Sequence, residues 1–115
     1  MKKDPLILVE HILECIDLIE SYSEDIKRVD FLRKTQMQDA IVRRVEIIGE
    51  AAKNFPQKIK DQYSDVFWKE MVSTRNILVH AYTDISLEVI WRIVKKELLP
   101  LKKQMLQIKS DLEKG

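Results

Sequence analysis

The sequence predicts an all-α protein, an antiparallel four-helix bundle. Three observations carry that expectation. Apolar residues recur every three or four positions through four long stretches, the period of a helix with one buried face. Two glycines and three prolines among 115 residues leave few interruptions. The segments between the periodic stretches are short, which suits antiparallel neighbours. The length fits one domain over residues 1–115, with enough chain to bury a core, and there is neither an internal repeat nor a low-complexity linker.

The first helix starts at Asp4-Pro5, an N-cap followed by proline at the first helical position, where no amide hydrogen is missed. Leu8, Ile12, Cys15, Ile19 and Tyr22 then mark its inner face to about Lys27. A second helix is expected from about Asp30 to Asn54, with Phe31, Met37, Ile41, Val45 and Ile48 inside. Pro56 stops it, because proline disfavours helical geometry in the residue before it. A short extra helix can follow over Pro56 to Tyr63. Ser64 is placed to cap a third long helix from Asp65 to about Tyr82. Asp84 or Ser86 is placed to cap a fourth, beginning Leu87-Glu88-Val89-Ile90-Trp91. Pro100 falls inside that last pattern, so a kink or a break is expected there. The polar tail from Lys109 to Gly115 is expected to fray.

Composition narrows the function classes. Twenty basic against nineteen acidic residues leave a formal net charge of +1. Proteins that coat duplex nucleic acid are far more basic, so any nucleic-acid contact is expected to be a local cleft. The single Cys15 cannot form an intrachain disulfide and suits a reducing compartment; its place in an apolar stripe reads as core. No apolar run approaches the ~18 residues of a membrane span, and no signal peptide opens the chain. The expected location is the cytoplasm.

Two details of the second helix stand out. Gly49, in Ile48-Gly49-Glu50-Ala51-Ala52, costs roughly 1 kcal/mol relative to alanine in a helix, and small residues there suggest the close approach of another helix. Glu46 and Glu50 are one turn apart on one face. Paired carboxylates can be catalytic; with Arg43 and Arg44 beside them, a surface ion-pair network is the simpler reading.

The unusual stretch is Ser73-Thr74-Arg75-Asn76-Ile77-Leu78-Val79-His80-Ala81-Tyr82, where four groups able to handle phosphates and protons surround three aliphatics. At about 100° per residue, Arg75, Asn76, Val79, His80, Tyr82 and Thr83 share an arc about 160° wide. Phe67, Met71, Thr74, Ile77, Leu78 and Ala81 fall on the other side and read as the core face. A histidine near a helix C-terminus can simply complement the helix dipole, and an arginine is often half of a surface ion pair. Yet Arg75 and His80, five apart, do not face each other directly, since facing pairs are three or four apart. They would converge on a substrate lying across the helix, or across a two-fold axis from a second copy.

Arg75-Asn76, three residues, His80 and then Tyr82 resemble the R-x4-H-x-Y motif of HepT-type toxins, within the HEPN superfamily of small helical nucleases and nucleotide-binding proteins. Val45 to Ala52 is similar to that family's IGEA helix, Phe67-Trp68-Lys69-Glu70-Met71 to the segment leading into the motif, and Ile85 to Trp91 with Leu98-Leu99-Pro100 to its last helix. The resemblance spans roughly residues 5 to 107. It implies a homodimer whose facing motifs form a metal-independent ribonuclease site, with Arg75 and His80 catalytic. It also implies a nucleotidyltransferase antitoxin as partner, which adenylylates the motif tyrosine, here Tyr82. No cofactor is implied.

The chemistry suits these residues. RNA can be cut without metal when its 2′-hydroxyl attacks the adjacent phosphate. Histidine moves protons near neutral pH, and the planar arginine fork matches charge building on phosphoryl oxygens. Asn76 can donate a further hydrogen bond or orient His80. Apart from His80 the chain has only His11, and no histidine–carboxylate spacing resembles a metal-ligand set. Two other readings stand beside this one: a non-catalytic HEPN-type nucleotide-binding subunit of a nucleotidyltransferase complex, and a phosphorelay bundle. The second fits poorly, because Ala81-Tyr82-Thr83 follows the histidine where such domains carry lysine and glycine.

Overall fold

The structure is a computed structural model that describes residues 4–80 and 86–115. α1 runs Pro5–Ser23, with the Asp4 carboxylate accepting from the Leu6 amide at 2.9 Å, as the Asp-Pro start predicts. It ends four residues short of Lys27, because Asp25 takes a left-handed φ of 59° and turns the chain. The expected second helix is split. A single turn, α2 (Arg28–Phe31), is followed by α3 (Thr35–Lys53), with Lys34 extended between them. The split drives Phe31 into the core, where it stacks on Trp91 with ring centroids 5.2 Å apart. The buried Gln38 amide donates to the Phe31 carbonyl at 2.9 Å, adding to the 3.3 Å bond that this carbonyl accepts from the Lys34 amide.

Asn54 closes α3, and the short helix α4 (Gln57–Gln62) follows Pro56. α5 spans Trp68–His80. It starts three residues later than the Ser64 cap predicted, because Tyr63 to Val66 form turns that fold the Trp68 indole inward. Trp68 Nε1 donates to the Tyr63 carbonyl at 2.9 Å, and its ring lies 4.9 Å from that of the buried Phe55. Ser86, not Asp84, is seen capping α6 (Leu87–Arg92), its hydroxyl accepting from the Glu88 amide at 3.1 Å; Asp84 lies outside the described residues. A π-helical turn (Ile93–Glu97) leads directly into α7 (Leu98–Lys114). Pro100 therefore sits in the first turn of α7, and the wider preceding turn takes up its ring and its missing donor without a break. The tail does not fray. Tyr63 Oη donates to Asp111 at 2.6 Å, which ties the last turns of α7 to the segment before α5.

Four long helical segments pack together as the sequence predicts. The extensive contacts join α1 to α3, α3 to α5 and α1 to α7. α1 is the centre, with Leu8, Val9, Ile12, Ile16 and Ile19 essentially inaccessible. Burying each such side chain is worth about 1.5–3 kcal/mol. Cys15 belongs to this core, and burial pushes its thiol pKa up. Among the described residues no helix is long and apolar enough to cross a membrane.

α5 and α7 share no comparably extensive contact. An open cleft lies between them, floored by Val45 and Ile48 of α3 and walled by Phe67, Met71, Leu98 and Leu101. Among the described residues, the helix carrying the unusual stretch makes its one extensive contact with α3.

Candidate functional site

Gly49 decides where Arg75 sits. A Cβ at position 49 would lie 2.3 Å from Arg75 Cβ and 2.6 Å from the Met71 carbonyl oxygen, distances no real contact allows. α5 therefore crosses α3 backbone to backbone at this point, and the close approach inferred from the glycine is found. The stem of Arg75 presses on Gly49, which leaves the side chain only 20% exposed.

That placement corrects the predicted faces of α5. The side turned to α3 consists of Trp68, Met71, Val72, Arg75 and Leu78, all buried or half-buried. Phe67 and Ile77, assigned to the core, are 49% and 41% exposed, and Val79 is 43% exposed. Arg75 thus lies in the middle of the packed face. The helical wheel failed because it equated apolar with inward. An arginine can bury its stem and keep its head at the edge, while three apolar side chains remain outside.

The head of Arg75 is held at both ends. Nη2 lies 2.7 Å from Glu50 Oε2, and Nη1 donates to Asn76 Oδ1 at 2.9 Å. Nε is buried with no hydrogen-bond partner. Glu50 was read with Arg43 and Arg44 as one surface network; instead Glu46 pairs with Arg43 at 2.6 Å, and Glu50 reaches across to α5. This is the residue that sequence reasoning missed. The available signal was its place beside Gly49, the one residue of α3 whose shape demands a neighbouring helix.

Asn76 turns its carbonyl oxygen toward Arg75, so in this arrangement it braces the arginine and not His80. His80 is the last described residue of α5 and is exposed. No hydrogen bond or ion pair links it to Arg75. The two share a helix but not a contact, as their spacing predicts. Tyr82 lies outside the described residues, as do Ala81 and Thr83. Among the described residues no cluster of three His, Cys, Asp or Glu side chains could hold a metal ion.

Chemically, the arrangement presents a guanidinium braced at both Nη corners, an exposed imidazole further along the same helix, and exposed aliphatics near both. A fork of this kind matches the paired oxygens of a phosphate.

The family described as Ribonuclease HepT-like matches residues 12–108, a span that includes Gly49, Glu50, Arg75, Asn76, His80 and Tyr82. A Methanocaldococcus jannaschii protein, named as a gamma-glutamylcyclotransferase and candidate RNase, is 43% identical over 115 residues. The match takes in 100% of this chain but 52% of that relative, so the chain spans about half its length. A Thermococcus cleftensis protein named probable ribonuclease HepT is 39% identical over 102 residues, 89% of this chain and 93% of its own. A candidate RNase of Caldanaerobacter subterraneus subsp. tengcongensis is 40% identical over 107 residues, 92% of this chain and 95% of its own. No solved structure matches the chain.

Proposed function

Because the chain belongs to the HepT-like ribonuclease family, we propose that it is a metal-independent endoribonuclease acting at an Arg75/His80 site between two copies, and the toxin half of a toxin–antitoxin pair. The observation that carries this reading is the seating of Arg75. Its stem is fixed against Gly49 and its fork is braced by Glu50 and Asn76, with no further partner for Nη1 or Nη2 among the described residues.

The step follows from RNA's own chemistry. The 2′-oxygen attacks the adjacent phosphorus as the bond to the 5′-oxygen breaks, giving a 2′,3′-cyclic phosphate and a 5′-hydroxyl end. His80 takes the 2′-hydroxyl proton, and the resulting imidazolium, or His80 of the second copy, protonates the departing oxygen. Arg75 stabilises the negative charge that grows on the non-bridging oxygens. Since the nucleophile belongs to the substrate, no activated water is needed.

Two features support pairing of copies. In one chain Arg75 and His80 do not meet, and the exposed Ile77 and Val79 lie on the same helix as both, with the exposed Phe67 just before its first residue. An isologous dimer would cover such aliphatics and supply the second histidine. Silencing is assigned to Tyr82. Its phenolic oxygen attacks the α-phosphorus of ATP on a nucleotidyltransferase partner, pyrophosphate leaves, and tyrosyl-AMP remains two residues from His80. Bulk and negative charge at that place would exclude an RNA phosphate.

The test is cleavage of an RNA oligonucleotide by the purified chain in EDTA. Cleavage should proceed, and His80→Ala and Arg75→Lys should each lose about 100-fold or more with unchanged melting temperature. Normal cutting by either variant overturns the assignment. Binding of RNA without cutting by the wild-type chain would instead fit a nucleotide-binding subunit.

A further inference from the structure

Resting on that reading, we propose that Glu50 is the positioning residue of the Arg75 fork. It holds the guanidinium by one corner so that its plane is set before a phosphate arrives.

The geometry is one-sided. Arginine–carboxylate pairs are frequently bidentate, with two parallel donors on two oxygens. Here the ion pair runs through Oε2 and Nη2 at 2.7 Å. Asn76 Oδ1 takes one hydrogen from the other corner, Nη1, at 2.9 Å. Among the described residues no further partner is seen for Nη1 or Nη2, so the fork can still meet the oxygens of a phosphate. The anchors come from different helices, Glu50 from α3 and Asn76 from α5 itself. Twisting the guanidinium therefore requires breaking one of them. Below the head, Gly49 blocks retreat of the stem, since α5 already touches the α3 backbone there.

Charge gives a second reason for the pair. Glu50 is about half exposed, so its carboxylate is hydrated and its pull on Arg75 is moderated by water. It can hold the fork without closing over it. A deeply buried carboxylate would cost more to part from the arginine when an anionic ligand comes.

Three roles for Glu50 are separable. A positioning residue acts on kcat, and its amide analogue largely replaces it, because the amide oxygen still accepts from Nη2. An internal competitor for the phosphate acts on KM, which would fall in both Glu50→Gln and Glu50→Ala with kcat unchanged. A merely structural pair would lower the melting temperature and leave the activity of the folded fraction intact.

The experiment compares the wild-type chain, Glu50→Gln and Glu50→Ala in two readouts. In steady-state RNA cleavage, Glu50→Gln should stay within about twofold of wild-type kcat. Glu50→Ala should lose about tenfold or more in kcat with KM unchanged or lower, both melting temperatures staying close to wild type. In ¹⁵N spectra, the Arg75 guanidinium signals, assigned by their loss in Arg75→Lys, report the brace without reference to RNA. Distinct, slowly exchanging Nη signals should appear in wild type and Glu50→Gln and coalesce in Glu50→Ala. Wild-type kcat in Glu50→Ala, a fall in KM alone, or Nη signals indifferent to Glu50 each overturn the proposal. A wild-type chain that does not cut RNA, but whose Nη signals depend on Glu50 as stated, overturns the nuclease function and supports the positioning role.

Discussion

Gly49→Ala is the substitution on which a rule of thumb and this structure give opposite answers. Intrinsic helix propensity favours alanine by about 1 kcal/mol, and on that ground the change should stabilise α3. The structure says otherwise. The new methyl would lie 2.3 Å from Arg75 Cβ and 2.6 Å from the Met71 carbonyl oxygen, about 1 Å inside ordinary contact. Neither neighbour is the far end of a flexible chain, so α5 as a whole must shift outward. Overpacking of this kind costs about 1–3 kcal/mol, and more is possible when backbone is involved. Because backbone is contacted, the cost belongs in the upper part of that range, about 2–3 kcal/mol, and the net expectation after the propensity gain is a loss of about 1–2 kcal/mol. For a chain of 115 residues that is a fall of about 5–10 °C in melting temperature. The effect on activity should exceed the effect on stability, because Arg75 moves with α5, and a misplacement of ~1 Å at a reacting centre can cost about 100-fold. Thermal melts followed by circular dichroism and a cleavage assay at a temperature well below both transitions check the two halves. A Gly49→Ala protein that melts at or above wild type and cuts RNA normally would refute the close crossing of α3 and α5, and with it the seating of Arg75.

Tyr63 and Asp111 set a pH window. The hydrogen bond to Asp111 pushes the Tyr63 phenol up to about 12 from an ordinary 10.0, favouring its protonated form. Its stabilisation should be complete below about pH 10 and disappear as pH climbs toward 12. The same bond, with Gln107 adding to it, lowers the Asp111 pKa from an ordinary 3.8, so that contribution is present above this value and lost as pH falls below it. Tyr63→Phe should lower the melting temperature at neutral pH by a few degrees and flatten both ends of its pH profile; an unchanged profile would mean that α7 is held elsewhere. Sedimentation at micromolar concentration should give about twice the 13.6 kDa chain mass, and a clean monomer would remove the two-copy site. Co-expression with a nucleotidyltransferase partner should add the mass of AMP to the peptide holding Tyr82. Tyr82→Phe should escape silencing while still cutting RNA; a fully silenced protein with unmodified Tyr82 would mean that the partner acts by binding alone.

What the sequence told correctly was local chemistry. Asp4-Pro5 starts a helix because an acceptor and a ring with no amide hydrogen suit the first turn, and neighbours do not change that. Asn54 before Phe55-Pro56, and Ser86 before Leu87, work the same way. Gly49 foretold a close crossing, since little else justifies a glycine inside a helix. The misreadings all depended on partners distant in sequence. Lys34 breaks the expected second helix so that Phe31 can reach Trp91, sixty positions away by chain numbering. The tail is held by Tyr63, which no local pattern connects to Asp111. The core face of α5 was misjudged because Phe67 and Ile77 are apolar without being buried by this chain, and because Arg75 packs its stem inward. The Glu50–Arg75 pair joins α3 to α5 and could not be read from either helix alone.

The open seam between α5 and α7 bears on how the molecule breathes. α1 and α3 bury most of their apolar residues, whereas α5 buries only Trp68 and Leu78. Local opening free energies follow such differences. The amides of α5 should therefore exchange with solvent through partial detachment from α3, while α1 exchanges only when the whole chain unfolds. Arg75 and His80 thus ride on a helix held less firmly than the α1–α3 base beneath it. A partner that bridges the seam can tighten this helix, and one that wedges into the seam can loosen it. In either case the rest of the fold need not unfold, so hydrogen-exchange rates of α5 become a direct reading of how far the site is assembled.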